Sequence, residues 1–426
     1  MARPRTVDEV AAVVRRCVDL NLGIVPQGGL TGLVGAAVSD ANEPEVVVLL
    51  DRMNAVRSID PTGYTMVVEA GCILEVAKQA AEAENCLLPI TFGSQGSARI
   101  GGNVSTNAGG FNVLRYGMTR DLVLGLEVVL PNGRIWNGLR TLRKDNRGYD
   151  LKQLFIGAEG TLGVVTAAAL KLFPKPTQVE TAWLGLRSID DVMAFYAKVR
   201  RSCSDLLSAF ELILRGGLVL GLASRPDLAD PLGEPCPVYV LMELSAGGTV
   251  DLRQVLETSL EDAGELIVDG TIAASKAQAE RLWLYREAMV EAQSRTGAYY
   301  RTDVSVPLSS IPAFLEAALD ALAKSLPEGR PIAYGHIGDG SIHLNVVPPP
   351  DWSKDQRYAL FQQAETFIFE TVDRFGGSFS AEHGVGRSKK GAFLKRIDPV
   401  TLDLFQALKS ALDPQNRLRR GRIFDL

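Results

Sequence analysis

Histidine is almost missing from this sequence. The 426 residues hold three, His336, His343 and His383, all in the last quarter. Chemistry that needs an imidazole is therefore confined to the C-terminal part of the chain. Cysteine is sparse too. Cys17, Cys72, Cys86, Cys203 and Cys236 stand at least 14 positions apart, so there is no C-x-x-C. That excludes, by spacing, an iron–sulfur cluster or a cysteine-rich zinc site. Scattered cysteines in odd number suit a reducing compartment, and the cytoplasm is the expected location. No run of about 18 apolar residues exists to span a membrane. The start of the chain (Met1, Arg3, Arg5, Asp8, Glu9) lacks the apolar core of a secretory signal. Nor is there a basic excess. Lys+Arg 45 against Asp+Glu 50 leaves a net charge of −5, and no nucleic-acid partner is expected.

What the chain does have is ordinary globular composition, 46% apolar and 22% charged, with 41 glycines. Its length supports two or three domains. Residues 6–20 carry Val10, Val13, Val14 and Val18 at helical spacing behind a Thr6–Glu9 capping pair. Short strands follow at 23–27, 45–51 and 65–69, and a helix at 73–85. Residues 93–120 break the rhythm and read as a long, functional Gly-rich loop. A strand at 122–130 turns through Pro131-Asn132-Gly133 into a partner at 134–137. A second Gly-rich turn at 157–163 leads into another strand. Pro174 and Pro176 mark a boundary near Lys175. Beyond it come helices at 188–201, 249–262, 275–293, 354–374 and 399–412, and strands at 237–244, 331–337 and 341–347. The class is α+β, in three parts: 1–175, 176–385 and 386–426.

Gly-rich loops after short strands invite a phosphate-bearing cofactor, because glycine lets the backbone approach and turns its N–H groups toward an anion. The first loop, Gln27-Gly28-Gly29-Leu30-Thr31-Gly32, is neither the G-x-G-x-x-G fingerprint nor a P-loop. The second spans Gly96 and Ile100-Gly101-Gly102-Asn103-Val104-Ser105-Thr106-Asn107-Ala108-Gly109-Gly110. The third contains Glu159, Gly160, Gly163 and Val164.

The segment 100–110 resembles the FAD pyrophosphate segment of vanillyl-alcohol-oxidase-type flavoproteins. So do its continuation Leu114-Arg115-Tyr116-Gly117 and the run from Lys144 through Asp150, Phe155, Gly157 and Gly160 to Gly163. Within that superfamily the chain resembles the FAD-linked D-2-hydroxyacid dehydrogenases over nearly its whole length. The resemblance implies a PCMH-type FAD-binding domain of two subdomains at 1–175. A substrate- and metal-binding cap follows at 176–385, and a C-terminal helical segment at 386–426. FAD would be held by Gln27, Gly28, Gly29, Thr31, Gly32, Gly96, Gly101, Gly102, Asn103, Thr106, Asn107, Gly109, Gly110, Glu159, Gly160, Gly163 and Val164. With no histidine before His336, histidyl tethering in the FAD domain is excluded and non-covalent FAD is expected. Two departures stand out. Leu30 occupies a position where the family usually has Asn. The family also has a stretch preceding the segment that matches Ala2–Arg5, so the chain either starts downstream of a natural start or is a shortened relative.

The histidines form the second constellation. Asp339-Gly340 is a turn between two alternating apolar arms, which predicts a hairpin with His336 facing His343 and Asn345 on the same face. Glu382 and His383 sit on a Gly-flanked loop. Two histidines and a glutamate suit a catalytic zinc or similar divalent ion. The resemblance agrees: matching positions make His336, His343 and Glu382 metal ligands and put Asn345 and His383 beside the substrate, with His383 as general base. It also makes Arg286 a substrate-binding arginine. Arg301 stands where the family has lysine, and Val290 where it has a hydroxyl. The tail Arg417, Arg419, Arg420 and Arg422 is either a basic patch for an acidic electron-acceptor protein or a charged tail.

The expected activity is oxidation of a D-2-hydroxyacid to the 2-oxo acid. An external acceptor takes the electrons, an electron-transfer flavoprotein, a quinone or another. The alternatives are a non-catalytic or shortened flavin-binding subunit, or a metal-dependent hydrolase that would leave the glycine loops unexplained. The oligomeric state is open, a homodimer included.

Overall fold

The computed structural model describes all residues from Met1 to Leu426. They form two compact units. The first takes Met1–Gly110, Tyr116–Lys175 and Glu382–Leu426; the second takes Phe111–Arg115 and Pro176–Ala381. No helix is long and apolar enough to cross a membrane. All five cysteines are free and buried.

The first unit opens on the helix Val7–Asp19. Thr6 caps it by accepting the Glu9 N–H at 3.2 Å. The Glu9 carboxylate accepts from the Arg5 N–H instead of returning to Thr6, so the capping box is only half made. Val10, Ala11, Val14 and Cys17 face the core. The strands Gly23–Gln27 and Glu45–Leu49 then pair in parallel. A five-stranded antiparallel sheet follows in the order Val56–Asp60, Thr65–Glu69, Val164–Lys171, Val123–Val129, Ile135–Asn137. Its middle strand is buried from Val164 to Leu170, and three consecutive alanines, Ala167 to Ala169, allow neighbours to come close. The helix Ile100–Thr106 packs here. A Cβ on Gly101 would lie only 2.7 Å from the Ala70 Cβ, so glycine is the residue that fits.

That helix corrects one expectation. Residues 93–120 are not one long loop: Ile100–Thr106, Val113–Tyr116 and Thr119–Leu122 are helical. The many glycines hid them, since glycine weakens helix propensity while here it serves close packing.

The C-terminal tail corrects another. Arg417, Arg419 and Arg422 are buried, so they form neither a basic surface patch nor a solvated tail. Arg422 makes a two-pronged ion pair with Glu45, at 2.6 and 3.1 Å, with both side chains out of contact with water. Lys409 donates from the helix Pro399–Leu412 to Asp413, to the Thr161 carbonyl and to the Leu418 carbonyl. Burying these cations requires such partners, and the partners fix the tail to the first unit.

The second unit is built on a seven-stranded antiparallel sheet. Its order is Ile267–Ile272, Gln178–Leu186, Val238–Ala246, Leu207–Leu214, Arg330–Gly335, Ser341–Val347, Val304–Ser305. Trp183, Ile213, Tyr239 and Leu241 bury one face against Leu282, Tyr285, Ala288 and Met289 of the helix Lys276–Arg295. Phe210 points the other way, to Phe195 of the helix Ile189–Cys203. The predicted hairpin exists, but its register differs. His343 pairs with Tyr334 and Asn345 with Ile332. The strand ends at Gly335, and residues 336–340 form the turn, with Gly340 at φ +87°. A two-residue shift preserves which face a side chain occupies, so His336 still falls on the His343 side.

The buried Arg422–Glu45 pair carries a prediction. Arg422→Ala strands a buried carboxylate and is expected to cost about 3–5 kcal/mol of stability. The double variant Arg422→Met with Glu45→Leu recovers most of it. Denaturant melts of the three proteins check this, and a single variant within about 1 kcal/mol of wild type overturns it.

Candidate functional site

A cleft of about 270 Å³ lies in the first unit. Its wall contains Gln27, Gly28, Gly29, Thr31, Gly32, Gly101, Gly102, Asn103, Thr106, Gly109, Glu159 and Gly163 from the sequence-predicted set. Gly96, Asn107, Gly110, Gly160 and Val164 are not in the wall. Three of these five shape the backbone instead. Asn107 ends its helix in the left-handed region at φ +50° and accepts from the Arg120 N–H. Gly110 and Gly160 take φ +124° and +74°. Leu30 also lines the cleft, 56% exposed and at φ +56°. This conformation suits an asparagine and is costly for leucine.

The cleft has the features of a cradle for an acceptor-rich group. Nothing stands within 4 Å of where a Cβ would be on Gly32, Gly93 or Gly102. Three N–H donors in its wall, Asn103 Nδ2, Arg99 Nε and Arg419 Nε, are buried with no hydrogen-bond partner. Orphaned buried donors are rare and cost about 1–3 kcal/mol each, so they call for an acceptor such as a phosphate or a flavin carbonyl. Burial pushes the Arg419 guanidinium down to about 10, against the nearby Glu159 and Glu45 charges and with that of Arg422. Its Nη groups donate to the carbonyls of Pro26 and Ala36.

Glu382 and His383 line the same cleft. The loop that carries them is pinned by Glu159, whose carboxylate accepts the Val385 N–H at 2.7 Å and the Gly386 N–H at 2.9 Å. Burial pushes the Glu159 carboxyl up, opposed by those two bonds and by Arg419 and Lys389. Glu159 itself takes φ +50°, between Gly157 and Gly160, which are also left-handed.

The second unit holds the other candidate residues. The rings of His336 and His343 are 5.9 Å apart, edge to face. The His343 Nδ1 donates to the Thr302 carbonyl at 3.1 Å. A carbonyl only accepts, so in the neutral ring the lone pair is on Nε2. His336 engages the Glu211 carboxylate through its own Nδ1, which in the neutral ring likewise leaves the lone pair on Nε2. The donor chemistry thus fits a divalent cation held by imidazole Nε2 atoms.

Arg286 is buried, not solvated. Its Nε donates to Glu211 Oε2 at 2.8 Å, and its guanidinium lies over the Tyr334 ring at 4.2 Å and near Phe111 at 5.8 Å. Glu211 is fully buried. Burial alone would raise its pKa, but His336 and Arg286 outweigh that and hold the carboxyl down to about 2. Asn345 has no exposed surface. It accepts the Thr302 N–H at 2.9 Å and donates to Gln293 and the Tyr334 hydroxyl. Arg301 is exposed and lies on the Tyr299 ring. Glu211, Phe111, Tyr334 and Arg99 were not among the residues picked from sequence, and Arg419 was picked only as part of the basic tail. Glu211 has one visible signal there: it is the single charge in the apolar run Leu207–Leu214.

Glycine cradle and orphaned donors together define a site for an acceptor-rich cofactor. Residues 1–138 match the FAD binding domain, and residues 175–423 match the C-terminal domain of FAD linked oxidases. Among solved structures, p-cresol methylhydroxylase superposes with a TM-score of 0.75 at 18% identity, covering 99% of this chain and 88% of that one. Alkyldihydroxyacetonephosphate synthase superposes with a TM-score of 0.74 at 16% identity, covering 98% and 76%. The mitochondrial D-2-hydroxyglutarate dehydrogenase of Bos taurus is 40% identical over 422 residues, 98% of this chain and 75% of that protein. The D-2-hydroxyglutarate dehydrogenase of Stutzerimonas stutzeri is 37% identical over 427 residues, 99% of this chain and 90% of that protein. The chain belongs to the FAD-linked oxidase family, with the PCMH-type FAD-binding fold.

Two expected outcomes follow from the cleft. Asn103→Leu removes a donor that only a bound acceptor would satisfy. The flavin-free variant is expected to melt no lower than wild type while FAD affinity falls about tenfold; unchanged FAD affinity by fluorescence titration contradicts this. Leu30→Asn relieves a left-handed leucine and is expected to add about 1 kcal/mol of stability, read as a rise in melting temperature. A lower melting temperature contradicts it.

Proposed function

We propose that this chain is an FAD-dependent dehydrogenase that oxidises a D-2-hydroxyacid to the 2-oxo acid, with D-2-hydroxyglutarate the first candidate substrate. One observation carries the reading: Glu382 and His383 line the cleft built by the glycine segments and the orphaned donors. A proton acceptor at a flavin cleft is what oxidation of an alcohol needs. The names of the relatives, D-2-hydroxyglutarate dehydrogenases at 36–40% identity, support the substrate class.

The residues divide the work as follows. His383 accepts the proton of the C2 hydroxyl as general base. Arg286 and Arg301 attract the carboxylate of the substrate, and Asn345 steadies the Thr302 segment on which His343 depends. His336, His343 and Glu382 are the proposed ligands of a divalent cation, with zinc favoured by the imidazole and carboxylate donor set. Bound FAD supplies the hydride acceptor, and the bound cation supplies a Lewis acid for the hydroxyl and carboxylate oxygens. The absence of histidine before His336 supports non-covalent FAD. An external acceptor reoxidises the flavin.

Mixing the FAD-loaded protein with hydroxyacids under anaerobic conditions tests this directly. D-2-hydroxyglutarate is expected to bleach the flavin, its L isomer to leave it oxidised. No bleaching by any of D-2-hydroxyglutarate, D-lactate or D-malate overturns the proposal. His383→Gln is expected to slow bleaching by about 10²–10⁴-fold with the flavin retained. A rate within tenfold of wild type removes His383 from the base role.

A further inference from the structure

We propose that Glu211 is a positioning residue that holds both the ligand histidine His336 and the anion-binding Arg286, so that one buried carboxylate sets the two together. The proposal rests on the reading of His336 as a metal ligand and Arg286 as a substrate contact. Glu211 lies in the strand Leu207–Leu214, next in the sheet to the strand that leads into His336. Its side chain is 1% exposed and that of Arg286 is 5% exposed. One oxygen meets His336 Nδ1 and the other accepts from Arg286 Nε at 2.8 Å. Its neighbours Phe210, Leu212 and Ile213 are apolar and fully packed. The strand therefore needs no charge here for folding. A buried charge is a cost to stability unless its partners use it.

The geometry shows that use. A carboxylate on Nδ1 keeps the proton on that nitrogen and turns Nε2 into the donor atom for a cation, with the ring plane fixed. Phe111 packs on His336 at 5.3 Å and near Arg286 at 5.8 Å, which limits ring and guanidinium to this arrangement. The second oxygen spends one edge of the guanidinium and leaves Arg286 oriented by a fixed partner rather than by solvent. A cation held at His336 Nε2 would polarise the Nδ1–H toward Glu211, and a carboxylate drawn toward His336 would leave Arg286 with more charge to offer an anion.

The test measures zinc affinity of the FAD-loaded protein by competition with a chelating dye, with no turnover involved. Glu211→Gln is expected to weaken zinc binding about 10–100-fold while the flavin stays bound. Because that variant strands Arg286 in the core, a second protein, Glu211→Gln with Arg286→Met, removes both buried charges and is expected to show the same loss. ¹⁵N-histidine labelling gives a further readout, since the chain has only three histidines. Wild type is expected to show His336 as the Nδ1–H form, and both variants a mixture. Zinc affinity within threefold of wild type in both variants overturns the proposal and makes Glu211 a counter-ion only. His336→Ala is the control. If it leaves zinc affinity unchanged, the metal reading of His336 fails, and the proposal falls with it.

Discussion

A carboxylate with no access to water, set in the middle of an apolar strand, has to be answered by positive charge or hydrogen-bond donors. Glu211 is answered by Arg286 and His336. Much of the second unit is arranged to make this affordable. The helix Lys276–Arg295 must cross the sheet so that Arg286 reaches down. The hairpin must end at Gly335 so that His336 leaves the strand on the same side. Phe111 and Tyr334 must wall the guanidinium from water. Neighbouring pairs on this face follow the same rule. Trp283 Nε1 donates to the half-buried Glu243, and Gln293 receives the Asn345 amide. One helix thus meets three polar groups of the sheet, two of them fully buried, each with a partner in place.

The first unit solves a different problem. Its polar groups are arranged around space. Asn103, Arg99 and Arg419 keep buried N–H donors without protein acceptors, while Glu159 gives both its oxygens to the backbone of the loop that carries His383. The cofactor wall and the loop of the proposed base are therefore one mechanical piece. Glu159 is the link, and it is held in a backbone conformation that non-glycine residues rarely adopt.

How much of this was legible in the sequence depended on the kind of signal. Hydrophobic periodicity is local, so helices such as Lys354–Arg374 and Pro399–Leu412 and the strand Thr65–Glu69 were read almost to the residue. Glycine density located the cleft, because glycine marks close backbone approach whatever the fold. It misled on secondary structure at 100–106, where the same glycines sit in a helix. Hairpin register was missed by two residues, since turn length is set by tertiary partners that a dipeptide does not reveal. The buried tail arginines were read as a surface patch or a charged tail for the same reason. Burial of a charge depends on an acid distant in sequence, such as Glu45 for Arg422, and no local pattern encodes that pairing.

The composition of the first unit also bears on how the protein is made. Its cleft takes Arg419, Glu382 and His383 from the last 45 residues, and everything before Gly110 waits for them. A ribosome delivers those residues after the whole of the second unit. The second unit, complete by Ala381, can fold while the chain is still attached, but the flavin site cannot be finished until Arg419 has left the exit tunnel. Cofactor capture then comes after the second unit is made, and a chain cut before Glu382 would lose part of the FAD cleft while keeping the second unit whole.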